Sequence, residues 1–512
     1  MTTRILLPVL MAASAFGASP VFNVIDYGAK NDATASSTAA IKKAIQACAA
    51  AGGGTVYFPA GTYRTGAIQM VSNLTLEVSA GATIKFEANL EEYPLVKGRY
   101  EGVEAITPAP LIGGENLHDI AITGRGTLTT DNAEWLKVTR NQEARAMWTA
   151  ILQRLEKGET IPDADYRKAS PFLRPSFIRP MNSKNIVIEG VHIVGSSMWT
   201  IHILYCENVI IRGVTVETYP GVNTDGVDID SSREVRISDS FFSTGDDAIC
   251  LKSGKDADGR RVNRITENVA ITNTTVQHGH GAVVLGSETA GGIRNVVASN
   301  IVSQHTDKGV RIKSTRGRGG VVENIRFDNW IIEDPAGPAI EVTNYYTRAP
   351  QEPVSAKTPV FRSFTLSRMT INRAPVAVSI EGLPEMPVSG LRLMDIVASS
   401  KAGLRAFNTV GLELSNVEIN PDAGPAFLVR ESSQLLMEGA ERRVAAATPV
   451  IRLDDCTGTT IRASRVWPGS DVYLSEKTGA KEKAALDGGK RAESDEDFWK
   501  GIASPDRPLV RK

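Results

Sequence analysis

The chain has 512 residues, 42% of them hydrophobic and 22% charged, with a formal net charge of −1. That is the composition of an ordinary globular protein. Near-neutrality excludes a whole-protein attraction to nucleic acid or an anionic membrane, so any grip on an anionic ligand must be local.

Residues 1–18 read as a secretory signal: Arg4, an apolar run from Ile5, and Ala13-Ser14-Ala15 as a cleavage site. No later apolar run is long enough to span a bilayer. The mature protein is therefore expected to be soluble, monomeric, and secreted or periplasmic. Residues 36–50 predict a capping helix. Ser36 or Ser37 can cap its start, and Ile41, Ala44, Ile45 and Cys48 fall on one face. Gly52-Gly53-Gly54 ends it, and the first strands follow at 55–58 and 74–78. Residues 132–158 predict a helical insertion with Trp148, Ile151, Leu152 and Leu155 on one face. It either covers part of a cleft or packs on the outside.

The phrase Asn-apolar-x-apolar recurs at Asn185, Asn208, Asn268, Asn295 and Asn324, with a variant at Glu234. The steps run from 23 residues (185 to 208) to 34 (234 to 268). Each phrase alternates like a strand with one buried face. One coil of this kind cannot bury its own apolar side, but stacked coils share a core. The recurring Asn suits a turn where it can ladder with the Asn of the next coil. The expected fold is all-β, a single-stranded right-handed parallel β-helix over residues 19–474, preceded by the capping helix. A tail from 475 to 512, rich in Lys, Glu, Asp and Gly, is expected to be loosely held, with Phe498 and Trp499 as residues that could dock.

Four polar clusters interrupt the repeat at about one per coil: Asn223-Thr224-Asp225-Gly226, Gly245-Asp246-Asp247, Gly279-His280-Gly281 and Arg311-Ile312-Lys313. In the run from Asp225 to Asp230, Val227 and Ile229 point inward and Asp228 and Asp230 outward. Asp225 has the inward parity, so Gly226 must turn the chain for it to reach solvent. Asp246 and Asp247 follow one coil later. Crowded carboxylates repel and raise at least one pKa, which costs stability and favours a site over a solvated face; a calcium site is the other use. His280 is accessible between two glycines, with His278 a bystander. Arg311 and Lys313 share a face, where they can hold a carboxylate. The cysteines Cys48, Cys206, Cys250 and Cys456 form no C-x-x-C pair, which argues against zinc; Cys206 and Cys250 read as core fillers.

These motifs, in this order, resemble family 28 of the glycoside hydrolases, the polygalacturonase family, whose pattern is Asn-Thr-Asp, Gly-Asp-Asp, Gly-His-Gly and Arg-x-Lys. The resemblance runs from Phe22-Asn23-Val24 and Asp26-Tyr27-Gly28-Ala29 to at least Tyr346. It implies a right-handed parallel β-helix that hydrolyses α-1,4 linkages between galacturonic acid units of pectic polysaccharide, with inversion. Asp246 resembles the general acid, Asp225 and Asp247 the pair that activates water, and His280 the residue assisting the acid. Arg311 and Lys313 resemble cations that hold a substrate carboxylate, and Asn223 a substrate-site asparagine. Tyr345 and Tyr346 are both candidates for the family's substrate tyrosine. The crowding is expected to keep Asp246 protonated, and no metal or cofactor is required.

The rivals are a rhamnogalacturonan-directed hydrolase of the same family, a calcium-dependent pectate lyase, and a non-catalytic glycan-binding β-helix. The insertion at 132–158 and the segment 254–264 could close one end of a cleft, which favours exo action.

Overall fold

The computed structural model describes residues 20–463 and, beyond them, 465, 467–468, 472–477, 483–487 and 491–494. The signal segment at 1–18, Phe498 and Trp499 lie outside the described residues. Short apolar-polar alternations form strands, and each strand pairs in parallel with its counterpart one coil on. On the face that matters below these are β1 (Ile178–Met181), β2 (Ile201–Leu204), β3 (Val227–Asp230), β4 (Ile249–Lys252), β5 (Val283–Leu285), β6 (Val310–Lys313) and β7 (Pro338–Thr343). Register aligns Ile178, Ile201, Val227, Ile249, Val283, Val310 and Ile340 in one inward column. None is more than 1% exposed. Such stacking turns weakly apolar coils into one continuous core, and the architecture is a parallel β-helix. Among the described residues, hydrogen bonding joins 37 strands into a single sheet.

The repeated asparagines sit at a bend between two strand directions. Asn185, Asn208, Asn268, Asn295 and Asn324 all adopt the left-handed conformation, with φ between 54° and 58°. Asparagine tolerates that conformation better than other side chains with a Cβ. Their amides also ladder: Asn208 donates to Asn185 (2.8 Å), Asn295 to Asn268 (2.9 Å) and Asn324 to Asn295 (2.8 Å). A second ladder, unread in the sequence, climbs from Asp239 through Asn273, Asn300 and Asn329.

Helix α1 (Thr38–Ala50) buries Ile41, Ala44, Ile45 and Cys48 against the first strands of the stack. Ser37 is at its N-cap position but makes no side-chain cap. Its hydroxyl instead accepts from the Lys30 N–H and donates to the Lys30 carbonyl, tying down the loop before the helix.

The insertion is longer than its sequence pattern suggested. It comprises α2 (Asn132–Val138), α3 (Gln142–Glu156) and α4 (Asp163–Ala169). Trp148 and Ile151 of α3 are buried, and Leu152 and Leu155 partly so. They pack with Tyr100 and Val103 of an antiparallel hairpin, Leu95–Tyr100 and Val103–Pro108, that stands outside the main sheet. Past residue 474, where a loose tail was expected, pairing continues. Leu474–Lys477 aligns with Ile451–Asp454, and Arg491–Ser494 aligns with Leu474–Lys477. The charge-rich composition hid the short apolar steps that extend the stack.

Candidate active site

Register stacks outward side chains as strictly as inward ones. His202, Asp228, Cys250, Val284, Arg311 and Glu341 form one column across β2 to β7. Beside it, Asp230 is level with Lys252, and Lys313 with Thr343. Asp225, Asp247 and His280 lie in the turns that lead into β3, β4 and β5. Residues from four clusters spread over 90 positions of the chain (313 − 223) are thereby brought to one face.

His280 Nδ1 is 3.0 Å from Asp246 Oδ1, and both side chains reach solvent (51% and 20% exposed). Asp247 is buried behind them. Lys313 Nζ donates to its Oδ2 at 2.7 Å, and Arg311 stands 3.9 Å from its Oδ1. Arg311 also pairs with Glu341 at 2.9 Å. Asp225 is buried, with Lys252 Nζ 3.6 Å from its Oδ2. Asn223 Oδ1 accepts from Arg174 at 2.6 Å. The Tyr346 ring lies 5.6 Å from the Arg311 guanidinium and 5.1 Å from the Lys313 ammonium. Tyr345 instead faces Arg316 at 5.3 Å, which separates the two tyrosines that the sequence left equal.

Three expectations change. Asp228 and Asp230 do point away from the core, yet both are fully buried. The hairpin covers Asp230, to whose Oδ1 Arg99 donates at 2.6 Å, and Lys252 stands 3.4 Å from Asp228 Oδ1. Gly226 does not serve as a left-handed turn; a Cβ there would fall 2.4 Å from the Ala248 carbonyl oxygen, so its role is close approach of two rungs. His278 stacks on Tyr219 at 4.4 Å and hydrogen-bonds Ser243, apart from the acids.

The third change concerns protons. Burial pushes the Asp246 carboxyl up, but the hydrogen bond and charge of His280, with Lys252 and Lys313 behind them, bring it down to about 2. The same hydrogen bond raises His280, against burial. The contact thus favours a carboxylate on Asp246 and a proton on the imidazole. The carboxyls driven well above the usual range are Asp225 and Asp228. For Asp225 the causes are burial and then the charges of Asp228 and Asp246; for Asp228, burial outweighs the opposing Lys252 charge. Asp225 Oδ1, Asp247 Oδ1 and both Asp228 oxygens have no hydrogen-bond partner of good geometry, although Lys252 Nζ is 3.4 Å from Asp228 Oδ1. Lys252, Glu288 and Arg174 belong to this centre and escaped sequence reading. Lys252 lies in the strand Ile249–Lys252, where it looks like a stray surface residue.

Asp225, Asp247 and Cys250 each offer a donor atom within 4.8 Å of the others. The set suits a cation poorly. Burial raises the Cys250 thiol well above its usual range, sulfur is a poor calcium ligand, and the Lys313 ammonium already occupies Asp247.

Crowded carboxylates, an imidazole hydrogen-bonded to one of them and cations alongside, on one face of a parallel β-helix, fit a glycoside hydrolase. The chain belongs to family 28 of the glycosyl hydrolases, whose model matches residues 48–404. It is 30% identical over 377 residues to an exo-poly-α-D-galacturonosidase of Dickeya chrysanthemi, covering 69% of this chain and 62% of that one. It is 28% identical over 385 residues to a probable polygalacturonase of Vitis vinifera, covering 73% of each. A hyperthermoactive exopolygalacturonase from Thermotoga maritima superposes with a TM-score of 0.72 at 32% identity, over 78% of this chain and 92% of that one. Among the described residues no helix is long and apolar enough to cross a membrane.

Proposed function

We propose that this enzyme hydrolyses α-1,4-galacturonosyl linkages of polygalacturonate with inversion, releasing units from a chain end. The Asp246–His280 contact carries the reading. Asp246 protonates the leaving oxygen with the proton it receives from His280 Nδ1, so the single proton of the pair is delivered as charge develops. Asp225 and Asp247 hold and deprotonate the attacking water. Inversion requires a gap of roughly 6.5–9.5 Å between acid and base. Arg311 and Lys313, under the Tyr346 ring, hold the carboxylate of the sugar beside the cleaved bond. Asn223 contacts the substrate from the Arg174 side.

Exo action is supported by the cover at one end. The hairpin turn at Glu101 and Gly102 meets the segment after β4, with Lys255 N–H donating to the Gly102 carbonyl at 2.9 Å. Helices α3 and α5 (Asp256–Val262) pack beside it. Two relatives at 30% identity or more, an exo-poly-α-D-galacturonosidase and an exopolygalacturonase, support the same reading. The segment 1–18 supports secretion or a periplasmic location, with the enzyme working as a monomer.

The test is incubation with polygalacturonate, with and without chelator, followed by product analysis. Saturated galacturonate monomer at early times, insensitive to chelator, is expected. Unsaturated products that need calcium would replace hydrolysis with lyase chemistry. No turnover of polygalacturonate but cleavage of a rhamnogalacturonan would move the substrate within the family.

A further inference from the structure

Lys252 is a charged side chain sealed inside the protein, 4% exposed. Its ammonium is 3.6 Å from Asp225 Oδ2, 3.4 Å from Asp228 Oδ1 and 3.4 Å from Glu288 Oε2. The Trp199 ring closes its remaining side at 4.3 Å. Sealing a flexible, strongly hydrated ammonium is costly, and a well-packed apolar residue would serve stability as well or better. Its position has a different consequence. Among the described residues, Lys252 supplies the ion pair of Asp225. The other groups facing Asp225 are the acids Asp228, Asp246 and Asp247 and the thiol of Cys250. Each disfavours a second negative charge or contributes none.

We propose that Lys252 is the positioning residue of the hydrolytic centre, holding Asp225 in place and opposing its protonation so that it can take a proton from the attacking water. The inference rests on the reading of Asp225 as a base. Asp228 and Glu288 set how strongly Lys252 acts, because both compete for the same ammonium. Glu288 is in turn shared with Arg318, Lys255 and Lys313, so Lys252 is not neutralised by it. Burial opposes the Lys252 charge, and its neighbours, among them the carboxyls of Glu288, Asp228 and Asp225, outweigh that opposition. Lys252 therefore stays a cation throughout the working range. Burial and the neighbouring acids raise Asp225; the ammonium counters them. Removing the ammonium lets Asp225 rise further, and removing Asp228 lets it fall.

The protonated Asp225 is followed by the infrared carboxylic-acid stretch, assigned by its loss in Asp225→Asn, and titrated against pH. Activity on polygalacturonate is measured over the same range. In Lys252→Met the Asp225 midpoint is expected to rise by about 1–3 units, the usual effect of losing an opposite charge at this distance. The acidic limb of kcat/KM should move with it, and KM should change little. Lys252→Arg should stay near wild type. Asp228→Asn should lower the midpoint, and the double variant Lys252→Met/Asp228→Asn should return it toward wild type. The double variant leaves one fewer buried charge stranded, so comparing it with Asp228→Asn isolates Lys252 even if Lys252→Met alone fails to fold. An unmoved midpoint in both comparisons, or an equal shift in Lys252→Arg, overturns the proposal. A midpoint that moves while the activity limb stays still keeps Lys252 as the group that ionises Asp225 and removes Asp225 as the base.

Discussion

Two stacks of polar side chains climb this β-helix, and they obey opposite rules. The asparagine ladder from Asn268 through Asn295 to Asn324 repeats one residue, carries no charge and satisfies its amides from rung to rung. The columns on β2 to β7 never repeat: His202, Asp228, Cys250, Val284, Arg311, Glu341. They bury charges, and carboxylate oxygens of Asp225, Asp228 and Asp247 lack good hydrogen bonds. The backbone pairing beneath both is the same. Repetition in a solenoid therefore marks what holds the coils together, and a break in repetition marks where stability has been given up for chemistry.

The largest expected effect sharpens that contrast with an asparagine placed in the wrong stack. Asp246→Asn keeps the shape but removes the carboxyl that shares a proton with His280. Turnover of polygalacturonate should fall by about 10²–10⁴-fold, the range for loss of a general acid. Thermal stability should fall modestly, because the contacts that hold the Asp246 carboxyl down to about 2 are lost with its charge. Unchanged turnover would show that the proton comes from elsewhere.

Arg99 offers the next test, from the hairpin side. Its guanidinium is buried against Asp230 and Ser231 and stacks at 4.8 Å over Tyr205. Burial pushes Asp230 up, but Arg99 and His202 hold it down to about 2. Arg99→Met strands that carboxylate, and breaking a buried pair from one side costs about 3–5 kcal/mol. Arg99→Met/Asp230→Asn should recover much of the loss. Denaturation midpoints of the two variants decide the matter. If the double variant is no better than the single, the hairpin is held by its apolar contacts rather than by this pair.

What could be read in the sequence follows from the same contrast. The Asn phrases and the four clusters are contiguous words, so the fold class and residues such as Asp246, His280 and Lys313 stand out in one line of text. The columns are not contiguous. Lys252 meets Asp225 and Glu288 only because coils of unequal length bring residues 27 and 36 positions away to the same height (252 − 225 and 288 − 252). Nor could the text show that a hairpin drawn from residues 95–108 would cover Asp230, which alternation alone assigns to solvent. The proton's place depended on the Asp246–His280 distance; crowding by itself suggested the wrong carboxyl. Tyr345 and Tyr346 are neighbours in sequence, and only the turn after β7 decides which ring faces Arg311.

The smallest effect lies in the ladder and separates its two physical jobs. Asn295 donates to Asn268 at 2.9 Å, accepts from Asn324 at 2.8 Å and holds φ at 56°. Asn295→Ala loses both hydrogen bonds and forces a Cβ without a polar side chain into the left-handed region. The combined cost is expected to be about 2 kcal/mol, from bonds worth about 0.5–1.5 kcal/mol each and from left-handed strain. Asn295→Gly loses the same bonds but adopts that φ freely, so it should be less destabilising than alanine by about 1 kcal/mol. Neither should alter kcat, because the ladder lies outside the acidic cluster. Equal losses for Ala and Gly would mean that the bonds alone matter, and the repeated Asn would be a staple rather than a hinge. A loss for Ala that vanishes in Gly would mean the reverse: the coils select asparagine to turn the chain, and the ladder follows from stacking one such turn on the next.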